Sequence, residues 1–414
     1  MALAALIPAC RTVDGGERLC ATLPLAGRTL IEHQVRLAAR AGAAPVVVLV
    51  ERVPVALVEA IDRLRRDGIK VELARGLDDA VDRIHPDEAL LLMADGVVAP
   101  RRLVTRVARS RWHLIVTVPD DAAHKRFERI DAGGRWGGLL LVDGLRLRQV
   151  AGMLGDWDLE STLLRSAVQA GAERMPAGPE MAGGTLLLVE RDGELAALDA
   201  ELAAGVPAVD GDWLVRFVYP PVAQLLLPPL LRRGIDPGLL PIGAATASWF
   251  AAAFALAGWR WVAFLLLLLC GPAAALGEGL AAVRMADIRQ GAMLARLRLC
   301  GAAAALIAFA WTQRVAMGWG IWPLCLGLLA ALAALAGERR LLERTGADRV
   351  PPWIGGPDAA VWALLPFALA GRWLAGLGVA ALYAAFSFAA LQYLVARALS
   401  VPPEVPERMK EAQD

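Results

Sequence analysis

Two acidic residues sit where a carboxylate has to be accounted for. Glu278 lies in the run ALGEGLAAVRMADIRQGAMLARLRL, Ala275 to Leu299, at the inner end of a long apolar stretch. A charged group in a membrane helix is costly and is kept where function needs it. Asp95 ends the run Glu88–Val98, which reads as a buried strand closing on an acid. A third feature is the polar, Gly-containing loop Arg11–Leu19, which carries Gly16-x-Arg18 and follows the apolar segment Ala2–Pro8. Other chemistries find no footing. The four histidines, His33, His85, His113 and His124, have no metal-ligand spacing and read as structural. No Ser/His/Asp or Cys/His set is legible. The five cysteines are scattered, and read as free thiols packed like small apolar residues.

The elements that must position these residues fall into two classes. The chain has 414 residues, 57% of them hydrophobic, with a mean hydropathy of +0.49. The excess over an ordinary soluble protein lies after Leu239, in Ala/Leu/Trp runs broken by short Arg-rich stretches. Before about Ala208 the chain mixes charged and apolar residues as a soluble α/β domain does. The expected organisation is a cytosolic domain over 1–205, a linker with an interfacial juxtamembrane helix over 206–238, a membrane domain over 239–399 and a cytosolic tail over 400–414. Net charge is +1, which gives no support to a nucleic-acid partner. The N-terminal segment MALAALIPAC lacks a basic lead and a full-length apolar core. It reads as a first strand, not a signal peptide.

A membrane-crossing helix needs about 20 apolar residues. The candidates are Leu239–Ala257, Trp261–Val283, Leu299–Trp311, Trp319–Ala336, Ala359–Ala370 and Trp373–Val395. One set of loops holds Arg232, Arg233, Arg284, Arg289, Arg296, Arg298, Arg339, Arg340, Arg344, Arg349 and Arg397; the opposite set holds only Arg260, Arg314 and Arg372. That asymmetry predicts about six helices in the inner (cytoplasmic) membrane, with the first domain and the C-terminus in the cytosol. Tryptophans near the span ends read as interface anchors. The stretch Gly211–Tyr219 and the PPVAQLLLPPLLRRGIDPGLL that follows would lie along the membrane surface.

The run Ala275–Leu299 resembles the signature of CDP-alcohol phosphatidyltransferases, Asp-x2-Asp-Gly-x2-Ala-Arg-x8-Gly-x3-Asp-x3-Asp. Glu278-Gly279 stands for Asp-Gly and Ala282 is kept; with one residue fewer in the x8 spacer Gly291 is kept too, and the other acidic positions fall on Ala275, Ala295 and Leu299. Transfer from a CDP-alcohol needs a divalent metal on the pyrophosphate and a base for the acceptor hydroxyl, both supplied by aspartates in that family. The resemblance implies a catalytic position at Glu278 and a lipid or CDP-alcohol ligand. With Asp287 off the motif, it also implies that the metal site is largely lost.

The order strand Ala2–Pro8, loop Arg11–Leu19, then Leu25-Ala26-Gly27-Arg28-x-Leu30-Ile31 opening a helix, resembles sugar-phosphate nucleotidyltransferases. That resemblance implies a Rossmann-like, GT-A-like α/β domain. It also implies that Gly16, Arg18 and Gly27 bind nucleotide, CTP being the expected one, through backbone amides and positive charge. Asp95 falls where the family has a Mg2+-binding Asp; a plain strand-to-turn Asp is the alternative. The family's lysine is absent, with Cys20 and Ala21 near its place. Phe127–Gly138 and the strand Leu139–Val142 match the region that holds the acceptor sugar phosphate. Asp156–Glu160 reads either as part of the site or as an acidic first turn.

Joined, the halves resemble fused inositol-phosphate cytidylyltransferase/CDP-alcohol phosphotransferase proteins of headgroup synthesis. Two readings follow. One is an active enzyme with a reduced metal site. The other, favoured because the acids are gone, is a pseudoenzyme: a scaffold or regulatory partner, forming a homodimer or a heterodimer with an active relative.

Overall fold

A computed structural model of the chain describes residues 2–13, 16–110, 113–153, 158–178, 186–191, 193–195, 198, 212–286, 288, 290–344 and 351–400. Asp156, Trp157, Gly211, Asp287, Arg289, Arg349 and the tail from Val401 lie outside the described residues. The chain divides into two compact units. The first is Met1–Ala204 with Leu231–Gly234 and Val283–Ala286; the second is Gly205–Leu230, Ile235–Ala282 and Asp287–Asp414.

The first unit is a mixed α/β sheet. Its elements are β1 (Leu3–Pro8), β2 (Pro24–Leu25), β3 (Arg28–Thr29), α1 (Leu30–Arg40), β4 (Val46–Leu49), α2 (Val55–Arg66), β5 (Val71–Ala74), α3 (Leu77–Asp82), β6 (Ala89–Met93), β7 (Val97–Val98), α4 (Arg101–Arg109), β8 (Leu114–Val118), β9 (Arg129–Asp131), β10 (Gly134–Asp143), α5 (Gly144–Ala151), α6 (Leu159–Gln169), β11 (Glu173–Pro176) and β12 (Leu187–Leu188). The main sheet runs β11-β8-β10-β6-β1-β4-β5, with β9 paired to β10. β1 pairs in parallel with both β4 and β6. All six of its residues, Leu3 to Pro8, are buried, as a strand covered on both faces requires. β10 enters antiparallel between β6 and β8, so its first residues lie at the edge where the parallel strands end.

α1 begins with a capping box. The Thr29 amide and hydroxyl both donate to the Glu32 carboxylate, each at 2.9 Å. Glu32 is fully buried, and Arg63 of α2 donates to both its oxygens at 3.1 and 2.9 Å. Burial alone would raise this carboxyl. The hydrogen bonds from Arg63 and Thr29 and the charges of Arg63 and Arg36 outweigh it and hold Glu32 below the usual range. One carboxylate thus starts α1 and ties it to α2.

In the second unit Leu214–Val218 winds as a π-helix into α7 (Tyr219–Arg232). There follow α8 (Leu239–Leu256), α9 (Arg260–Val283), α10 (Gly291–Met317), α11 (Ile321–Arg344), α12 (Pro357–Ala363), α13 (Leu365–Leu369) and α14 (Trp373–Ser400). α8 packs along α10, and α11 along α14. Gly301 allows the first approach, since a β-carbon there would run into Ser248.

Among the described residues six helices are long and apolar enough to cross a membrane: Leu214–Leu231, Leu239–Leu256, Arg260–Val283, Gly291–Met317, Ile321–Leu342 and Trp373–Arg397. The count agrees with the expectation, but the set differs in two places. Ala359–Ala370 is not one long helix. It is α12 and α13, of 7 and 5 residues, meeting at Leu364 with Pro366 in the first turn of the second. At 1.5 Å per residue the apolar stretch Pro357–Leu369 reaches about 20 Å, against about 30 Å of hydrocarbon. Leu214–Leu231, expected to lie on the surface, is itself long enough to cross.

Candidate functional site

The first unit contains a cavity of about 630 Å³. Its wall is built where parallel strands end. Pro8 ends β1 and Cys10 and Arg11 follow it, Leu49 ends β4 and Val50 and Glu51 follow it, Arg75 to Leu77 follow β5, and Ala94 and Asp95 follow β6. Trp136 and Gly138 of β10 and the start of α6 complete it. Ligands of open α/β sheets bind at this carboxyl edge of the strands.

Asp95 is fixed from several sides. Gln34 of α1 donates its side-chain amide to Ala94 O and Val97 O, at 3.1 and 2.9 Å, holding the turn after β6. Gly96 takes φ +81°, and a β-carbon there would press on Val189 O. Oδ2 of Asp95 accepts the amides of Cys10 and Arg11 at 2.7 and 2.6 Å. Oδ1 is buried and has no partner among the described residues. The Asp95 amide donates to Glu160 Oε1 at 3.0 Å.

Two carboxyls therefore share one pocket wall. Burial pushes Asp95 up to about 6, against the opposing pull of the Arg11 and Cys10 amides. Burial pushes Glu160 up to about 8, opposed by the Asp95 amide and reinforced by the Asp95 charge. Near neutral pH Asp95 is mostly ionised and Glu160 mostly protonated. A divalent cation would draw Glu160 to its ionised form as well, because it binds carboxylates. The donor set suits Mg2+, which takes one or two carboxylates and completes its shell with phosphate and water. The orphaned Oδ1 of Asp95 supplies a lone pair that nothing else uses.

The rest of the wall is charged as well. Arg126 pairs with Glu194 at 2.6 Å, and Ser161 donates to Glu128 at 2.8 Å. Asp158 caps α6, accepting the Ser161 amide at 3.0 Å. Burial, with the charges of Asp95 and Glu51, pushes the Cys10 thiol up to about 11, so it is protonated and no nucleophile.

The other nucleotide-binding positions expected from sequence are not brought to this cavity. Gly16 and Arg18 are exposed in a turn closed by Val13 N to Arg18 O and Gly16 N to Val13 O, each 2.8 Å. Gly27 forms the β2–β3 hairpin turn with Ala26, at φ +70° and +54°. Neither residue lines the pocket. Arg11, earlier in the same loop, does line it. Glu160 was legible only as an acid near a helix start. Its pairing with Asp95 depends on a 65-residue separation that no local pattern encodes.

In the second unit Glu278, on α9, is exposed and lies within electrostatic reach of Arg298 and Asp358. Arg298 of α10 donates to Asp358 of α12 at 2.6 Å. The Tyr219 hydroxyl is buried without a partner among the described residues. A β-carbon at Gly271 would meet both that hydroxyl and Asp358. Ala275 is half-buried on α9, and Ala295 and Leu299 are exposed on α10. Among the described residues no three His, Cys, Asp or Glu side chains gather as metal ligands do. Asp358 was not singled out from sequence. The available signal was that it is the one acid in the apolar stretch between Pro351 and Ala370.

No protein-family model matches the chain, and no curated protein does. Among solved structures, one described as a putative glucose-1-phosphate thymidylyltransferase from Bacillus anthracis, in complex with a sucrose, aligns with a TM-score of 0.38 and 11% identity, over 48% of this chain and 95% of that one.

Proposed function

We propose that the first unit binds a nucleotide, CTP being the expected one, in the pocket at the carboxyl edge of its sheet, with Mg2+ held by Asp95 and Glu160. The observation that carries this is a buried carboxylate oxygen, Asp95 Oδ1, with no partner among the described residues, in a pocket wall shared with Glu160, which accepts the Asp95 amide, and with Arg11. When bound, the cation neutralises phosphate charge. The protein's part is to fix the two carboxyls, to supply arginine for the remaining charge, and to present Trp136 and Gly138 to the second substrate. A sugar phosphate or inositol phosphate fits that neighbouring space by the resemblance of Phe127–Gly138. Calorimetry on the full chain in detergent tests the reading. CTP should bind weakly and only with Mg2+, and Asp95→Ala should abolish the Mg2+ dependence. Absence of binding at millimolar CTP would refute it.

For the second unit, the reading is a relative of the CDP-alcohol phosphatidyltransferases whose transfer step is lost. It would act as a scaffold or as the partner of an active relative in headgroup synthesis. Supporting this are the apolar side chains at Ala275, Ala295 and Leu299 and the charge of Arg298 close to Glu278. A positive charge within electrostatic reach of Glu278 disfavours a cation there. The alternative is an active transferase with a reduced metal site on Glu278; release of CMP decides between them.

A further inference from the structure

α4 carries a charge arrangement that neither site explains. Leu103, Val104 and Val107 are buried, while Arg101, Arg102, Arg106 and Arg109 are exposed. At 100° per residue the four arginines fall within an arc of about 140°, opposite the buried residues. Among the described residues none of their side chains makes an ion pair or hydrogen bond. Other arginines in this unit are paired with acids, among them Arg63 with Glu32, Arg83 with Glu72 and Asp79, and Arg135 with Asp120. The chain as a whole carries only +1, so this is a local concentration of repelling charge. A negative partner relieves it.

We propose that the arginine face of α4 docks on the headgroups of an anionic phospholipid bilayer. Three observations favour that partner. The guanidinium fork matches phosphate oxygens. The same chain holds six helices long and apolar enough to cross a membrane, so a bilayer is always at high effective concentration. Among the described residues the face consists of arginines and Thr105, with no aromatic ring on which a base could stack, which disfavours a nucleic acid. Each arginine at an anionic surface favours the docked state by about fivefold, so four give on the order of several hundredfold at low salt. The inference stands apart from the proposed nucleotide and transferase roles.

The test is arginine footprinting with phenylglyoxal, read by mass spectrometry. It uses the full chain in nanodiscs of phosphatidylcholine alone or mixed with phosphatidylglycerol. Modification of Arg101, Arg102, Arg106 and Arg109 should slow by about tenfold in the anionic discs and recover at high salt. Arg66 on α2 should not change. In the double variant Arg102→Glu/Arg106→Glu, Arg101 and Arg109 should lose their protection. Equal rates in the two discs would overturn the proposal. So would protection that appears only when RNA or an acidic protein is added to the neutral disc, which would give the face to that partner.

Discussion

Replacing Glu160 with glutamine should flatten the pH dependence of stability in the α/β unit. In the folded protein Glu160 is pushed up to about 8; in the unfolded chain it returns to its ordinary 4.5. Between those values the folded state holds a proton that the unfolded state has released. Stability then falls as pH rises, by up to about 1.4 kcal/mol per pH unit for one proton. The whole contribution is present below about 4.5 and gone above about 8. From pH 5 to pH 8 the ceiling is about 4 kcal/mol, and about 2 kcal/mol is the working figure once pocket water and coupling to Asp95 are allowed for. Glutamine keeps an oxygen for the Asp95 amide, which now donates at 3.0 Å, but cannot ionise. The variant should match the wild type at pH 5 and exceed it at pH 8. Asp95 should still contribute a smaller slope of the same sign, ending near pH 6. The assay is hydrogen exchange of the β6 amides in the full chain, with the intrinsic pH dependence of exchange divided out, because exchange in one strand reports its own unit. Parallel profiles for wild type and variant would refute the buried-pair argument.

Glu32→Ala should cost about 2–4 kcal/mol, since it removes the helix cap and the two hydrogen bonds from Arg63 and leaves Arg36 with Asp67 alone; urea unfolding measured by the same strand checks it. Because the Glu32 carboxyl is held low, its contribution should be present above the usual carboxylate range and be lost as pH falls through it. Asp358→Ala should destabilise the second unit by about 2–4 kcal/mol by leaving Arg298 unpaired, while Asp358→Leu with Arg298→Met should recover most of it in an unfolding assay in detergent. Reporter fusions at Trp259, Glu338 and after Val401 test the path through the membrane. If Leu214–Leu231 lies on the surface, Trp259 should read external and Glu338 cytosolic. A cytosolic signal at Trp259 would mean that Leu214–Leu231 crosses.

What the sequence made legible was what local pattern determines. β1 and β6 are short apolar runs ending at polar residues, and both fall where that pattern puts them. Five of the six expected spans are long helices for the same reason. Ala359–Ala370 has the composition of a span, but composition does not show that the helix breaks at Leu364. Gly16, Arg18 and Gly27 lie away from the cavity for a local reason. Leu25–Ile31 has the residues of a phosphate-facing segment, yet Ala26 and Gly27 close a two-residue hairpin, a job glycine does equally well. The pairing of Asp95 with Glu160 depends on the antiparallel insertion of β10 beside β6. Strand order is a property of the whole sheet, and no spacing along the chain announces it.

The reading proposed for the second unit is a transferase-like architecture that has lost the transfer step. Purified full-length protein mixed with Mg2+, CDP-inositol or CDP-diacylglycerol and an alcohol acceptor should release no CMP above background, and Glu278→Ala should change nothing. Robust release of CMP that disappears with Glu278→Ala would contradict the account and show that a single carboxylate suffices.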